Sequence, residues 1–199
     1  MTAVANQFEG VLALAFPEKG MSDAQFFEFC RLNRDLKIER NAAGEIIIMS
    51  PTGSKTGIRN SEFNTELGIW NREYKLGKTF DSSAGFKLSN GATYGPDAAW
   101  MTHEKWNSLT PDEQESFAPI VPDFVVEIRS KSDSLKPIQE KIGEFMECGC
   151  QLAWLIDPFL QKTTVYQADG SETEVPFDEV LTGGAVLPGF EVKLSDLFQ

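Results

Sequence analysis

At 199 residues and 41% hydrophobic content, the chain can bury a sizeable core, and its length suits one domain with elaborations. No stretch approaches the roughly 20 apolar residues that cross a bilayer, and the early apolar run Val11 to Phe16 is flanked by Glu9 and Glu18 rather than by the basic and small residues of a secretion signal, so a soluble cytoplasmic protein is expected. A net charge of −12 argues against avid non-specific nucleic-acid binding, although the acid is uneven: Ala168 to Gln199 holds seven carboxylates against Lys193, whereas Arg129 to Lys141 holds four bases against Asp133 and Glu140.

In chain order, residues 1–20 read as a lead-in closed by a Pro17 to Gly20 turn. Ser22 opens a helix, with Asp23 and Gln25 in its first turn and Phe26, Phe27, Phe29 and Leu32 as its buried side. Leu36 to Arg40 and Glu45 to Ser50 flank Asn41-Ala-Ala-Gly44, a hairpin signal. The longest helix is predicted over about Gly57 to Leu76, with Phe63, Leu67, Trp70 and Tyr74 as one apolar stripe and Glu62 and Glu66 on its flanks; Gly77 ends it. Three short extended pieces follow, Thr79 to Asp81, Gly85 to Leu88 and Tyr94 to Met101, the last carrying Asp97. Thr102 and Thr110 cap two helical turns, Pro111 taking a first helical position.

Phe124 to Ile128 is an apolar, β-branched strand with Glu127 inside it. Leu135, Ile138, Ile142, Phe145 and Met146 recur at helical spacing, Gly149 stands where a left-handed cap would end the helix, and Leu152 to Ile156 is a second buried strand before Asp157-Pro158. Strand, crossover helix and strand make two neighbouring parallel strands of one sheet. Lys162 to Gln167 and Glu172 to Pro176 form a terminal hairpin, and Leu187-Pro-Gly-Phe190 and Ser195 to Phe198 close the chain. The odd set Cys30, Cys148 and Cys150, with a lone His103, fits reduced thiols better than a disulfide frame or a zinc site.

Glu62, Asp97 and Glu127 are carboxylates at positions where folds rarely place them without a partner, and a divalent cation is one partner that uses several together. Such a cluster could bind a scissile phosphate and lower the pKa of a water, with a nearby lysine stabilising the pentavalent phosphate. The competing readings are structural. Glu127 could pair with Arg129 or Lys141, Asp97 could be the residue of a Gly95-Pro96-Asp97 bend, Asp123 shares a strand face with Glu127, and Glu66 rivals Glu62.

Pro96-Asp97, Pro122-Asp123-Phe-Val-Val-Glu127-Ile-Arg-Ser130-x-Ser132-Asp133-Ser134, Gln139-Glu140-Lys141, Gly149-x-x-Leu152-x-Trp154-Leu-Ile-Asp157-Pro158 and the closing Leu187-Pro-Gly-Phe190 are five separated motifs in order. Together they resemble the Uma family of restriction-endonuclease-like proteins from about Met49 onward. The resemblance implies an α/β fold with a mixed sheet: a PD-(D/E)xK core over about residues 45–167 of a single domain, with an N-terminal helix and hairpin and a C-terminal hairpin. It makes Asp97 the motif aspartate, Glu127 the motif glutamate and Glu62 the helix acid, with Asp97 and Glu127 holding Mg²⁺ or Mn²⁺. The standard pattern places lysine two residues after the glutamate, where this chain has Arg129, which cannot give and retrieve a proton at neutral pH. The resemblance instead makes Lys141, on the crossover helix, the catalytic base-type residue. It implies a metal-dependent DNA endonuclease that acts as a homodimer; the alternative is a degenerate nuclease-fold module with a binding or regulatory role.

Overall fold

The computed structural model describes residues 4–8, 11–15 and 20–198. Where the sequence suggested only a lead-in, strands β1 (Val4–Phe8) and β2 (Val11–Ala15) pair antiparallel; the expected turn at Pro17 to Gly20 lies, apart from Gly20, outside the described residues. Helix α1 (Asp23–Leu32) begins at Ser22, whose hydroxyl accepts from the Gln25 N–H while the Gln25 side chain accepts from the Ser22 N–H. Phe26 is buried, but Leu32 is 69% exposed, against expectation. Six residues on, Leu32 sits about 120° round the helix from Phe26.

The hairpin forms as expected from β3 (Lys37–Arg40) and β4 (Ile46–Met49). Helix α2 (Ser54–Tyr74) buries Phe63, Leu67 and Trp70, while Tyr74 stays partly exposed and stacks on Trp70. It ends on Lys75 in a left-handed conformation, and Gly77 belongs instead to the next strand, β5 (Gly77–Asp81). A Cβ at Gly77 would stand 2.0 Å from the Met101 carbonyl oxygen, so glycine is there for close strand approach rather than for capping.

The extended piece predicted over Tyr94 to Met101 is two strands in two sheets. After β6 (Phe86–Lys87), β7 (Thr93–Tyr94) pairs with β3, whereas β8 (Ala98–Thr102) pairs with β5. Gly95-Pro96-Asp97 makes the break, since proline has no N–H to give a ladder. The short helices α3 (His103–Asn107) and α4 (Pro111–Gln114) have Thr102 and Thr110 as N-caps. The central unit is β9 (Phe124–Ile128), α5 (Leu135–Glu147) and β10 (Leu152–Asp157), and the two strands are parallel. Gly149 (φ +105) closes α5: the Cys150 N–H reaches the Phe145 carbonyl and the Gly149 N–H the Met146 carbonyl, both at 3.0 Å. The chain ends with β11 (Lys162–Gln167), β12 (Glu172–Pro176), β13 (Val180–Thr182), β14 (Glu191–Lys193) and α6 (Leu194–Leu197).

One sheet runs β1-β2-β4-β3-β7-β6 and the other β12-β11-β10-β9-β8-β5, with β13-β14 as a small third. The second sheet is mixed, β9 and β10 being its parallel pair, and it is covered on both faces. Phe124, Val126 and Trp154 pack with Phe63, Trp70 and Phe190, so this face meets α2 and the C-terminal segment. Val125, Ala153 and Leu155 pack with Ile142, Phe145 and Tyr94, so the opposite face meets α5 and the first sheet. Each large side chain buried this way stabilises the fold by about 1.5–3 kcal/mol. Alternation along β9 therefore directs Glu127, which shares parity with Val125, toward α5.

Candidate active site

A strand covered on both faces is normally apolar throughout, and all of β9 is buried, Glu127 included at 7% exposure. Its partners come from three other elements. The antiparallel register Ala98↔Val126 places Asp97, one residue before β8, opposite Glu127. Asp97 is held from several sides: Oδ2 accepts from the Ile128 N–H (2.8 Å), Oδ1 accepts from Asn60 Nδ2 (3.1 Å), and its carbonyl oxygen accepts from Asn64 Nδ2 (2.9 Å). Asn60 and Asn64 are one turn apart on α2 and face the same way. Lys37 Nζ lies 3.6 Å from Asp97 Oδ1.

Lys141 enters from α5. Its Nζ is 2.7 Å from Glu127 Oε1, outside hydrogen-bond angles, and donates to Glu39 Oε1 (2.8 Å) and to the Gly95 carbonyl (3.2 Å). The amine also lies 5.5 Å from the centre of the Tyr94 ring. Burial pushes the Glu127 carboxyl up to about 7; Lys141 opposes that shift, and the neighbouring carboxylates Asp97 and Glu39 add to it. Burial also works against charge on Lys141, but Glu127 and Glu39 outweigh it and raise the amine above the ordinary lysine value. Lys141 is thus held as a cation at neutral pH.

The structure brings Asp97, Glu127 and Lys141 together. Glu62 does not join them: it is exposed on α2, and the residues of that helix that reach Asp97 are Asn60 and Asn64. Arg129 turns away to Asp157, with Nη1 2.8 Å from Oδ2, Nε donating to the Asp133 carbonyl and the guanidinium 5.8 Å from the Phe159 ring. Asp123 is likewise occupied, accepting from the Thr102 N–H and paired with Lys105 at 2.7 Å. The sequence reading missed Asn60 and Asn64 on α2 and the charged pair Lys37 and Glu39 on β3. The signal for the β3 pair was a Lys-x-Glu alternation on one face of a hairpin strand, upstream of every motif used for the resemblance.

Among the described residues, no three His, Cys, Asp or Glu side chains form a group able to hold a metal by themselves. The donors present still fit a hard cation. Mg²⁺ is commonly bound through one or two carboxylates, with water and substrate phosphate completing its shell. Asp97 and Glu127 are such a pair, and Glu127 Oε1 and Asn60 Oδ1 are buried oxygens that no hydrogen-bond donor reaches with good geometry.

A mixed sheet with a parallel strand pair, its crossover helix facing a strand carboxylate and a helix packed on the opposite face, is the restriction-endonuclease-like fold. The chain belongs to the Uma2 family, described as "putative restriction endonuclease", which it matches over residues 23–195. Among solved structures it is similar to a "putative nuclease belonging to DUF820" from Anabaena variabilis ATCC 29413. The two are 22% identical with a TM-score of 0.69, over 81% of this chain and 89% of that one, a likeness of fold. No curated protein matches the chain. The family match begins upstream of β3, and so takes in Lys37 and Glu39.

Proposed function

We propose that this protein is a divalent-metal-dependent endonuclease that hydrolyses phosphodiester bonds, with DNA as its substrate. The observation that carries the reading is the convergence of Asp97, Glu127 and Lys141, from three separate elements, on one buried site. Asp97 and Glu127 would hold Mg²⁺ or Mn²⁺, which supplies positive charge at the scissile phosphate and a water of lowered pKa. Asp97 is already oriented by the Ile128 N–H, Asn60 and Asn64, so it needs little reorganisation to engage a ligand. Lys141, held protonated by Glu127 and Glu39, opposes the negative charge that builds on the phosphate oxygens. That role is electrostatic, where the sequence suggested a base. Arg129 is committed to Asp157 and leaves the cation role to Lys141.

Nucleic acid is the partner that fits this reading. Lys55 and Arg59 precede Asn60 on α2, and Lys131 and Lys136 follow Glu127, supplying local positive charge on a chain of net charge −12. A homodimer would place two sites for cutting both strands. A plasmid assay across Mg²⁺, Mn²⁺ and chelator tests the reading: divalent-dependent nicking is expected, lowered by about 10²–10³-fold in Asp97→Ala, Glu127→Ala and Lys141→Ala. Undiminished nicking by all three variants would sink it.

A second reading, a binding module on a degenerate nuclease fold, is favoured by one observation. Lys141 is already engaged: its N–H groups donate to Glu39 and to the Gly95 carbonyl, and its ammonium sits 2.7 Å from the Glu127 carboxylate. Retention of DNA in a mobility-shift assay, without cleavage and without a Mn²⁺ isotherm lost in Asp97→Asn, would select that reading.

A further inference from the structure

Two carboxylates share Lys141, and only one of them belongs to the site as proposed above. Glu39 is among the most deeply buried acids of the chain, its side chain 5% exposed against 11% for Lys141 and 10% for Glu127. It comes from β3, in the first sheet, and crosses to the second sheet's site. Its Oε1 takes the Lys141 ammonium at 2.8 Å and the Gly95 N–H at 3.0 Å, while the Gly95 carbonyl takes a further N–H of Lys141 at 3.2 Å. Glu39 and the Gly95 peptide therefore form a cradle for the amine. The contact to Glu127 is close but outside hydrogen-bond angles, so Glu39 and the Gly95 carbonyl are the acceptors that still hold the amine when Glu127 engages another partner.

Charge counting points the same way. Glu39, Asp97 and Glu127 against Lys37 and Lys141 leave the cluster at three negative and two positive charges, a net of −1. A divalent cation takes the cluster to +1, and one phosphodiester brings it to neutral. Without Glu39 the same two steps run from 0 through +2 to +1, leaving one uncompensated positive charge in a buried site.

We propose that Glu39 is a positioning residue of the active site: when Glu127 engages a divalent cation, Glu39 and the Gly95 peptide keep the Lys141 ammonium in place and present its released N–H to the substrate phosphate. This rests on the nuclease reading, and it gives Lys141 two partners because one must be free to leave. If Glu39 were only a staple between β3 and the bend at Gly95, the bond to the Gly95 N–H would suffice and the charge on Glu39 would be dispensable.

Glu39→Gln keeps the shape and an acceptor for the Gly95 N–H and removes the charge. The first measurement needs no cleavage: ¹⁵N spectra of lysine ammonium groups, with the Lys141 signal assigned by its loss in Lys141→Ala. Glu127→Gln imitates the departure of the Glu127 charge. The signal is expected to persist in Glu127→Gln and to vanish in the Glu39→Gln/Glu127→Gln double variant; loss in the single variant, or persistence in the double, overturns the proposal. The second measurement is kinetic, with Mg²⁺ and plasmid DNA. Glu39→Gln should lower kcat by about 30-fold with KM within about threefold, and Glu39→Gln/Lys141→Ala should be no slower than Lys141→Ala beyond about twofold, since Glu39 acts through Lys141. Multiplying losses would overturn it. A wild-type protein that cleaves nothing and binds no cation defeats the nuclease reading, and the lysine spectra still decide the positioning by themselves. If thermal unfolding shows that Glu39→Gln does not fold, Glu39→Asp, which keeps the charge but draws it back by one methylene, is expected to weaken the Lys141 signal in the Glu127→Gln background; an unchanged signal overturns the proposal.

Discussion

Two pairs of opposite charge stand near the ends of the parallel strands β9 and β10, and they behave in opposite ways. Asp157 is buried, which works against its charge, but Arg129 and the N–H groups of Phe159 and Leu160 more than offset that and hold its carboxyl below the ordinary value. Glu127 has a lysine just as close, yet its carboxyl is raised, because burial outweighs that lysine and Asp97 and Glu39 crowd the same space. An acid held low is satisfied and structural. An acid held high beside a cation belongs to a cluster with surplus negative charge, the condition in which a divalent cation is a favourable addition. Residue type alone does not distinguish the two pairs; the count of charges around each does.

The largest expected effect that would break this comparison is catalytic. Asp97→Ala and Glu127→Ala should lower plasmid cleavage by about 10²–10³-fold, the scale for losing a group that acts on developing charge, whereas Arg129→Ala should lower it less than about tenfold. Equal losses at the two pairs would remove the distinction.

Stability comes next. In metal-free protein, Lys141→Ala leaves Glu127 and Glu39 buried without the cation they share and should cost about 3–5 kcal/mol. Arg129→Ala removes a partly exposed partner and should cost about 1–2 kcal/mol. Urea unfolding at about pH 7.5 measures both.

The pairs should also separate by pH. Native Glu127 holds its proton up to about 7 while the unfolded chain releases it near 4.5, so across that window the native state binds more protons and this group's contribution to stability falls as pH rises. Relative to wild type, Glu127→Gln should therefore gain stability across the window, by about 1.4 kcal/mol per pH unit at most. Asp157 has the opposite sign: its contribution is present above the ordinary value of 3.8 and is lost as pH falls through its lower native value. Asp157→Asn should be destabilised at neutral pH and converge with wild type in acid. Unfolding midpoints across the pH range check both signs, and parallel curves for the two variants would contradict them.

The smallest effect sharpens the site's edge. Asn60→Ala loses one donor to Asp97 and should slow cleavage about tenfold, whereas Glu62→Ala, exposed on the same helix, should change it less than about threefold. A larger loss at Glu62 than at Asn60 would restore the helix acid expected from the motif.

Local pattern was enough wherever the determinant was local. The capping box at Ser22, the caps at Thr102 and Thr110, the stripe of α2 and the strand, helix and strand from Phe124 to Asp157 were all readable, because periodicity and turn chemistry act within a few residues. What was misread depended on distant neighbours. Gly77 looked like a helix end, and is instead a strand residue pressed against Met101. Tyr94 to Met101 looked like one strand, and is divided between two sheets at Gly95-Pro96-Asp97.

The same division applies to the site. By itself the sequence marked Asp97, Glu127 and Lys141, because a carboxylate inside an apolar strand is anomalous and the ordered motifs name its companions. Only the tertiary structure turned α2 so that Asn60 and Asn64, rather than Glu62, reach Asp97, sent Arg129 to Asp157, and carried Lys37 and Glu39 across from the first sheet. Which charges meet depends on how two sheets and two helices pack, and that is decided by burial summed over the whole chain.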